Sequence, residues 1–166
     1  MKLFMRFFVI CIFLLSCNNS SVHSDYYKNL NVVKSVVSSI NTYFNSDKPL
    51  DISQYYTDDF IFHSYAAGNS KGQETLKIDY IAGLENMRKS GVSLQIGHSI
   101  YLPGIDEHTF NFDGSVRVYY GANLSNTKSS VDFSGYQTIN FKNGKIEEIW
   151  EWADYGGVQK SLEIIE

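Results

Sequence analysis

Apolar residues run without a break from Phe7 to Leu15, and the chain then turns polar through a Ser/Asn-rich stretch from Asn18 to Ser24. Beyond it the pattern becomes periodic. Tyr26, Leu30, Val33, Val37, Ile40 and Phe44 recur in steps of three and four. This predicts an amphipathic helix over Asp25 to Asn45, capped by Asp25 and stopped by Asp47-Lys48-Pro49. Asp51 to Tyr56 reads as a second, very short helix, and Phe60 to His63 as a short strand. After a loop at Gly68 to Gly72, a third helix is predicted over Gln73 to Lys89. It carries Leu76, Tyr80, Leu84 and Met87 on one face and ends on Gly91 as a C-terminal cap.

From Val92 onward the period falls to two. One strand lies within Val92 to Leu102, bulged at Gly97 and broken by Pro103-Gly104. Thr109 to Phe112 reads as extended and Asp113-Gly114 as a turn, and strong strands follow over Ser115 to Asn123 and Ser129 to Phe141. Asn143-Gly144 between two β-rich runs calls for a two-residue hairpin turn, which pairs Phe141 with a last strand over Ile146 to Ala153. Val158 to Ile165 reads as a short terminal helix or strand. Helices grouped first and strands last predict an α+β domain, one curved antiparallel sheet wrapped around the first helix.

The segment before the domain has its own logic. Lys2 and Arg6 precede the apolar run and the small residue Ser16 closes it, as in a secretory signal peptide. The run is too short to cross a bilayer, which takes about 20 residues. Leu14-Leu15-Ser16-Cys17 resembles the lipobox of bacterial lipoproteins, and the resemblance implies cleavage before a lipidated Cys17. The chain then divides into a signal peptide (1–16), the acylated Cys17 with a flexible tether (17–24), and one folded domain (25–166). More than one acyl chain makes such an anchor durable. Asn18 stands where an Asp would imply inner-membrane retention, so the expected site is the cell envelope of a bacterium, at the outer membrane.

Composition narrows the function classes. A formal charge of -4 with no basic run argues against nucleic acid as a partner. Of the 2 cysteines, Cys11 falls in the leader and Cys17 at the anchor. The domain therefore has no thiol for a disulfide, a thiolate metal site or a nucleophile. Aromatic residues make up 15% of the chain, which means either a generous core or an aromatic-lined cavity.

The order of elements resembles the nuclear transport factor 2-like superfamily, in its SnoaL-like branch. Tyr56-Thr57-Asp58-Asp59-Phe60 looks like the turn from the second helix into the first strand, with His63 at that strand's end. Gly72 before the third helix, the Phe141-Lys142-Asn143-Gly144-Lys145-Ile146 hairpin and Asp154 after the last strand also match, over Asp25 to Tyr155. The resemblance implies a cone, a bent antiparallel sheet and helices enclosing one pocket. Members include ketosteroid isomerases, polyketide cyclases, epoxide hydrolases, dehydratases and non-catalytic binding domains, so the fold alone does not supply the function.

Candidate chemistry centres on the last strand. In a regular strand Ile146, Glu148, Trp150, Trp152 and Asp154 share one face, and a bulge would shift part of that register. Trp150 and Trp152 read as core or as the aromatic wall of a ligand pocket, with Glu148, Tyr119 and Tyr136 as further binding candidates. The resemblance implies an acid/base role for Asp154, which could instead cap the turn at Gly156-Gly157. His63 could relay a proton at the pocket mouth or simply be hydrogen-bonded at its rim. By the same analogy His63 and Asp154 would face one pocket.

The ketosteroid isomerase site tests differently: by the resemblance its base position falls at Ser64 and its tyrosine position at Ile40, which argues against a steroid-isomerase mechanism. Tyr80 reads as core, Asp79 as solvent-facing, and Tyr120 as another strand tyrosine able to enter the pocket. Arg117 reads as a cross-strand partner of Glu148 or Glu151. His63, His98 and His108 have no spacing that supports a metal site, and Asp58-Asp59 and Asp106-Glu107 lack the ligand density of a calcium loop.

Two functions follow. The first is a membrane-anchored binding module whose aromatic pocket takes a small apolar ligand, or which forms a homodimer through its sheet, as such domains commonly do. The second is a cofactor-independent acid/base enzyme of the cyclase, isomerase, hydrolase or dehydratase type, using Asp154 and His63.

Overall fold

The computed structural model describes residues 20–66 and 72–162. The leader, Cys17, most of the loop predicted at Gly68 to Gly72 and the end of the predicted terminal element lie outside the described residues. The elements in chain order are α1 (Ser20–Asn45), a single 3-10 turn (Ser53–Tyr55), β1 (Tyr56–Tyr65), β2 (Gln73–Leu76), α2 (Lys77–Lys89), β3 (Ser93–Ile105), β4 (Phe112–Ser125), β5 (Ser130–Lys142), β6 (Lys145–Ala153) and α3 (Tyr155–Ser161). The strands form one sheet in the order β2-β1-β6-β5-β4-β3, antiparallel throughout except for the parallel pair β1–β6. This is the α+β architecture that the order of elements predicts.

α1 packs across the concave face of the sheet. Tyr26, Leu30, Val33, Ile40 and Phe44 are buried as predicted, while Val36 is buried and Val37 is only half-buried. Two asparagines stitch α1 to the sheet where the strands are irregular. Asn41 exchanges both hydrogen bonds of its amide with the backbone of Ile96, at 2.8 Å each, beside the register shift between Ile96 and Ser99. Asn29 Nδ2 donates to the Gly114 carbonyl at 2.9 Å. In both places the side chain pairs backbone that the sheet ladder leaves irregular.

Several boundaries differ from the sequence reading. α1 begins at Ser20, so the tether is helical from that residue, and Asp25 lies inside the helix, paired to Lys28 at 3.2 Å, rather than capping it. Gln73–Leu76 adds a strand to β1 before α2 starts, because its backbone finds a free sheet edge. Pro103 does not break β3, because β3 is an edge strand and needs no ladder donor there. Thr109 is not extended; it sits in a turn whose amide and hydroxyl bind Asp106, and Asp113-Gly114 lies inside β4. The hairpin is as predicted: Asn143 and Gly144 have φ of 54° and 76°, the left-handed pair that a tight β-turn of this type needs.

One irregularity decides which side chains face inward. The β5–β6 register shifts between Asn140 and Phe141: Phe141 pairs with Ile146, but Asn140 pairs with Glu148. The extra residue, Glu147, lets Ile146 and Ile149 both reach the core, where they are 1% and 3% exposed. Beyond the bulge, Ile149 and Glu151 point into the concave face, while Glu148, Trp150 and Trp152 point out. Ile149→Ala removes a side chain packed at the centre of this wall, and is expected to lower unfolding free energy by about 2–5 kcal/mol in chemical denaturation. An Ile149 on the outer face would give a far smaller loss.

Candidate functional site

The concave face and the helices enclose a cavity of about 680 Å³. Its walls are mostly apolar, with Val33, Val37 and Ile40 from α1, Leu84 and Met87 from α2, and Val118 from β4 among them. Its polar lining includes Ser64, Gln73, Thr75, Asp79, Ser99 and Gln159, together with a hydrogen-bonded cluster centred on Glu151. Glu151, 8% exposed, accepts hydrogen bonds on Oε1 from Tyr120 Oη at 2.7 Å and Gln137 Nε2 at 2.6 Å. On Oε2 it accepts a hydrogen bond from Tyr155 Oη. A buried carboxylate is tolerated where donors replace the lost water, and here three do so.

Local structure places each donor. Tyr120 stands opposite Gly135 across the β4–β5 pair, and its phenol lies where a Cβ on residue 135 would be. Only glycine leaves room for that ring to cross β5 and reach Glu151 on β6. Tyr155 begins α3, directly after β6. Asp154 fixes that turn: its Oδ1 accepts from the Gly157 amide at 2.9 Å as the helix N-cap. α3 then closes one side of the cavity through Tyr155, Gly156 and Val158.

The phenols around Glu151 are held in their neutral form. Burial first, then the Glu151 charge, pushes Tyr80, Tyr120 and Tyr155 well above the ordinary phenol value of 10.0. At neutral pH Tyr120 and Tyr155 are donors facing an acceptor, and Tyr80 stands beside them. Asp79, on the first turn of α2, is exposed and lines the same cavity.

The residues singled out by sequence lie elsewhere. Asp154 caps α3 and does not line the cavity, and His63 is buried on the outer face, stacked on Trp150 at a centroid distance of 4.2 Å. His63 Nε2 lies 3.8 Å from Glu148 Oε1. Glu148 also accepts from Trp150 Nε1 at 3.2 Å and Asn140 Nδ2 at 3.3 Å. Trp152 stacks on Tyr65 at 4.6 Å and touches Tyr136 at 5.6 Å, and Tyr136 touches Tyr119 at 4.8 Å. The structure thus gathers the five ligand-binding candidates, with His63, on the outer face of the sheet rather than in the cavity. Arg117, on that face too, reaches Asp113 at 3.9 Å and forms no ion pair with Glu148 or Glu151.

Glu151, Gln137 and Tyr155 are the residues that sequence reasoning missed. A signal existed for Glu151 alone: Ile146 and Ile149 are apolar at opposite parity, and a shift at Glu147 turns Ile149 and then Glu151 inward.

No family model and no curated protein matches the sequence. Solved structures do match its shape. The chain is similar to a candidate polyketide cyclase from Xanthomonas campestris, with TM-score 0.62 and 10% identity over 83% of this chain and 98% of that one. It is similar to a phenazine biosynthesis-related protein from Pseudomonas aeruginosa, with TM-score 0.61 and 10% identity over 86% and 85% of the two chains. A third likeness is to an LEH-like epoxide hydrolase from M. tuberculosis, with TM-score 0.55 and 15% identity over 82% and 90%. At these identities the likeness is one of fold, the cone of nuclear transport factor 2-like proteins.

The Tyr120–Glu151 bond yields a direct test. Tyr120→Phe and Gly135→Ala, which displaces the phenol, are each expected to cost about 1–3 kcal/mol in denaturant unfolding. The raised phenols also set a pH dependence. Unfolding returns them to the ordinary value, so their stabilisation is complete below pH 10.0 and is lost as pH rises above it. Tyr120→Phe should flatten that alkaline loss; an unchanged slope would place the phenol in water.

Proposed function

We propose that this chain binds a small, largely apolar molecule inside the cone, with the molecule's polar end on the Glu151 cluster. The observation that carries this reading is a mostly apolar cavity of about 680 Å³ with a hydrogen-bonded carboxylate cluster in its wall. That is the size and the composition of small-molecule sites. Three of the roughly four lone-pair positions of the Glu151 carboxylate are occupied by protein donors. A group so satisfied is better suited to anchoring a ligand than to stripping a proton from one.

Gly83 gives a clean test. It sits in α2, lines the cavity, and has open space where a side chain would begin. Gly83→Leu fills that space and improves helix propensity by up to about 1 kcal/mol. The wild type is expected to bind the neutral apolar fluorophore N-phenylnaphthylamine saturably at one site. Gly83→Leu should lose this binding while its Tm holds or rises. Equal binding by both would exclude the cavity as the site.

A second reading is acid/base catalysis at the same place, favoured by one observation: a carboxylate joined to two neutral phenols inside an apolar chamber. The named neighbours include enzymes of the cyclase and epoxide hydrolase type, which is consistent with it. In this reading Glu151 and Tyr155 take the place that the sequence assigns to Asp154 and His63. Turnover that falls at least about a hundredfold in Glu151→Gln, with ligand still bound, would select it.

The anchor and the assembly are also proposals. The Leu14-Leu15-Ser16-Cys17 run supports a lipoprotein tethered at the outer membrane. Ile100, Tyr119, Tyr136, Trp152 and Tyr65 form one row across five strands of the outer face, and Ile100, Tyr119 and Trp152 are 50%, 52% and 41% exposed. A contiguous apolar row of this kind supports a homodimer through that face. Palmitate labelling that Cys17→Ser abolishes is the expected result for the anchor. A dimer mass that Trp152→Arg halves is the expected result for the assembly; persistent labelling, or a monomeric wild type, would refute the respective proposal.

A further inference from the structure

The cavity carries a charge imbalance that its own walls do not resolve. Its charged lining residues are Glu151 and Asp79, and no Lys, Arg or His lines it among the described residues. The three partners of the Glu151 carboxylate are two phenols and a carboxamide, all neutral. Hydrogen bonds therefore replace its lost water, but no counter-charge meets it. The surroundings of that carboxylate are aromatic. Tyr80, Tyr120 and Tyr155 all lie close enough to feel its charge, and all three line the cavity. A buried carboxylate whose partners are all neutral is the environment in which an ammonium group gains a charge-assisted hydrogen bond, with tyrosine rings close by to pack against its apolar neighbours.

We infer that the cavity selects by charge: its ligand is an apolar molecule whose polar end is a protonated amine, seated against Glu151 among the Tyr80, Tyr120 and Tyr155 rings. This rests on the binding reading above and adds the ligand's chemical class. The same geometry rejects the anionic isostere. A carboxylate on the ligand would meet Glu151 and share the cavity with Asp79, with no cation among the described lining residues to receive it. A neutral alcohol is admitted with fewer rewards, because it can donate one hydrogen bond to the remaining lone pair of Glu151 but brings no charge.

The test uses three probes that share one apolar body: naphthylmethylamine, naphthalenemethanol and naphthoate, titrated calorimetrically into the purified full-length protein. The amine is expected to bind on the order of tenfold tighter than the alcohol, and naphthoate weakest of the three. Raising the pH past the amine's own pKa removes the ligand's charge and should erase the preference while the Tyr120 and Tyr155 phenols at the site stay neutral. Glu151→Gln should bring amine and alcohol to about the same affinity, while Asp79→Asn should leave the order intact. An alcohol that binds as well as the amine in the wild type would overturn charge selection and leave the binding cavity standing. So would a preference that survives Glu151→Gln. Failure of all three probes to bind would overturn the cavity reading itself, and this inference with it.

Discussion

A carboxylate withdrawn from water must be met by donors, and the inner wall of this cone is arranged to meet Glu151. The requirement reaches far along the chain. The bulge at Glu147 turns Glu151 inward. Gly135 gives up its side chain so that Tyr120 can cross a strand. Asp154 ties the first turn of α3 to its own carboxylate, and that turn delivers Tyr155. Gln137 comes from the neighbouring strand in register with Glu151. Four elements thus converge on one side chain, in a wall that is otherwise apolar. Burying such a group without its donors would cost several kcal/mol, so the cluster and the local backbone that builds it stand or fall together.

The sheet separates two kinds of aromatic chemistry. Inside, Tyr120 and Tyr155 act through their hydroxyls and line open space, while Tyr56, Phe60 and Tyr80 pack ring against ring. Outside, rings stack on one another: His63 on Trp150, Tyr65 on Trp152, and Tyr136 between Trp152 and Tyr119. The outer row leaves Ile100, Tyr119 and Trp152 exposed, as the proposed dimer face requires. The inner group holds space for a molecule and offers that molecule a polar focus.

Much of the fold was legible because it rests on local signals. The three-and-four spacing of α1, the Asn143-Gly144 turn and the change of period at Val92 each report directly on backbone geometry. The site was less legible because it depends on parity. Alternation along β6 puts Trp150, Trp152 and Glu148 on one face, and that much is right. Which face is inward depends on a single inserted residue, and the opposite parity of Ile146 and Ile149 hints at a bulge without placing it at Glu147. The resemblance drew attention to Asp154, three residues from the buried carboxylate, whereas the structure gives Asp154 a capping role that any strand-to-helix junction can use. Tyr155 and Gln137 were invisible for a further reason: a tyrosine at a helix start and a glutamine in a strand carry no pattern until the carboxylate they serve is placed. Pro103 and Gln73 to Leu76 misled through context, since edge position excuses the one and creates the other.

The central claim is that ligand chemistry occurs inside the cone around Glu151 and not on the outer aromatic face. Photolabelling with an apolar aryl diazirine, followed by mapping of the modified residues, addresses it most directly. Saturable labelling concentrated on Glu151, Tyr120 and Met87, and lost in Gly83→Leu, is the result predicted. Saturable labelling of Trp150, Trp152 and Tyr65 that Gly83→Leu leaves unchanged would contradict it.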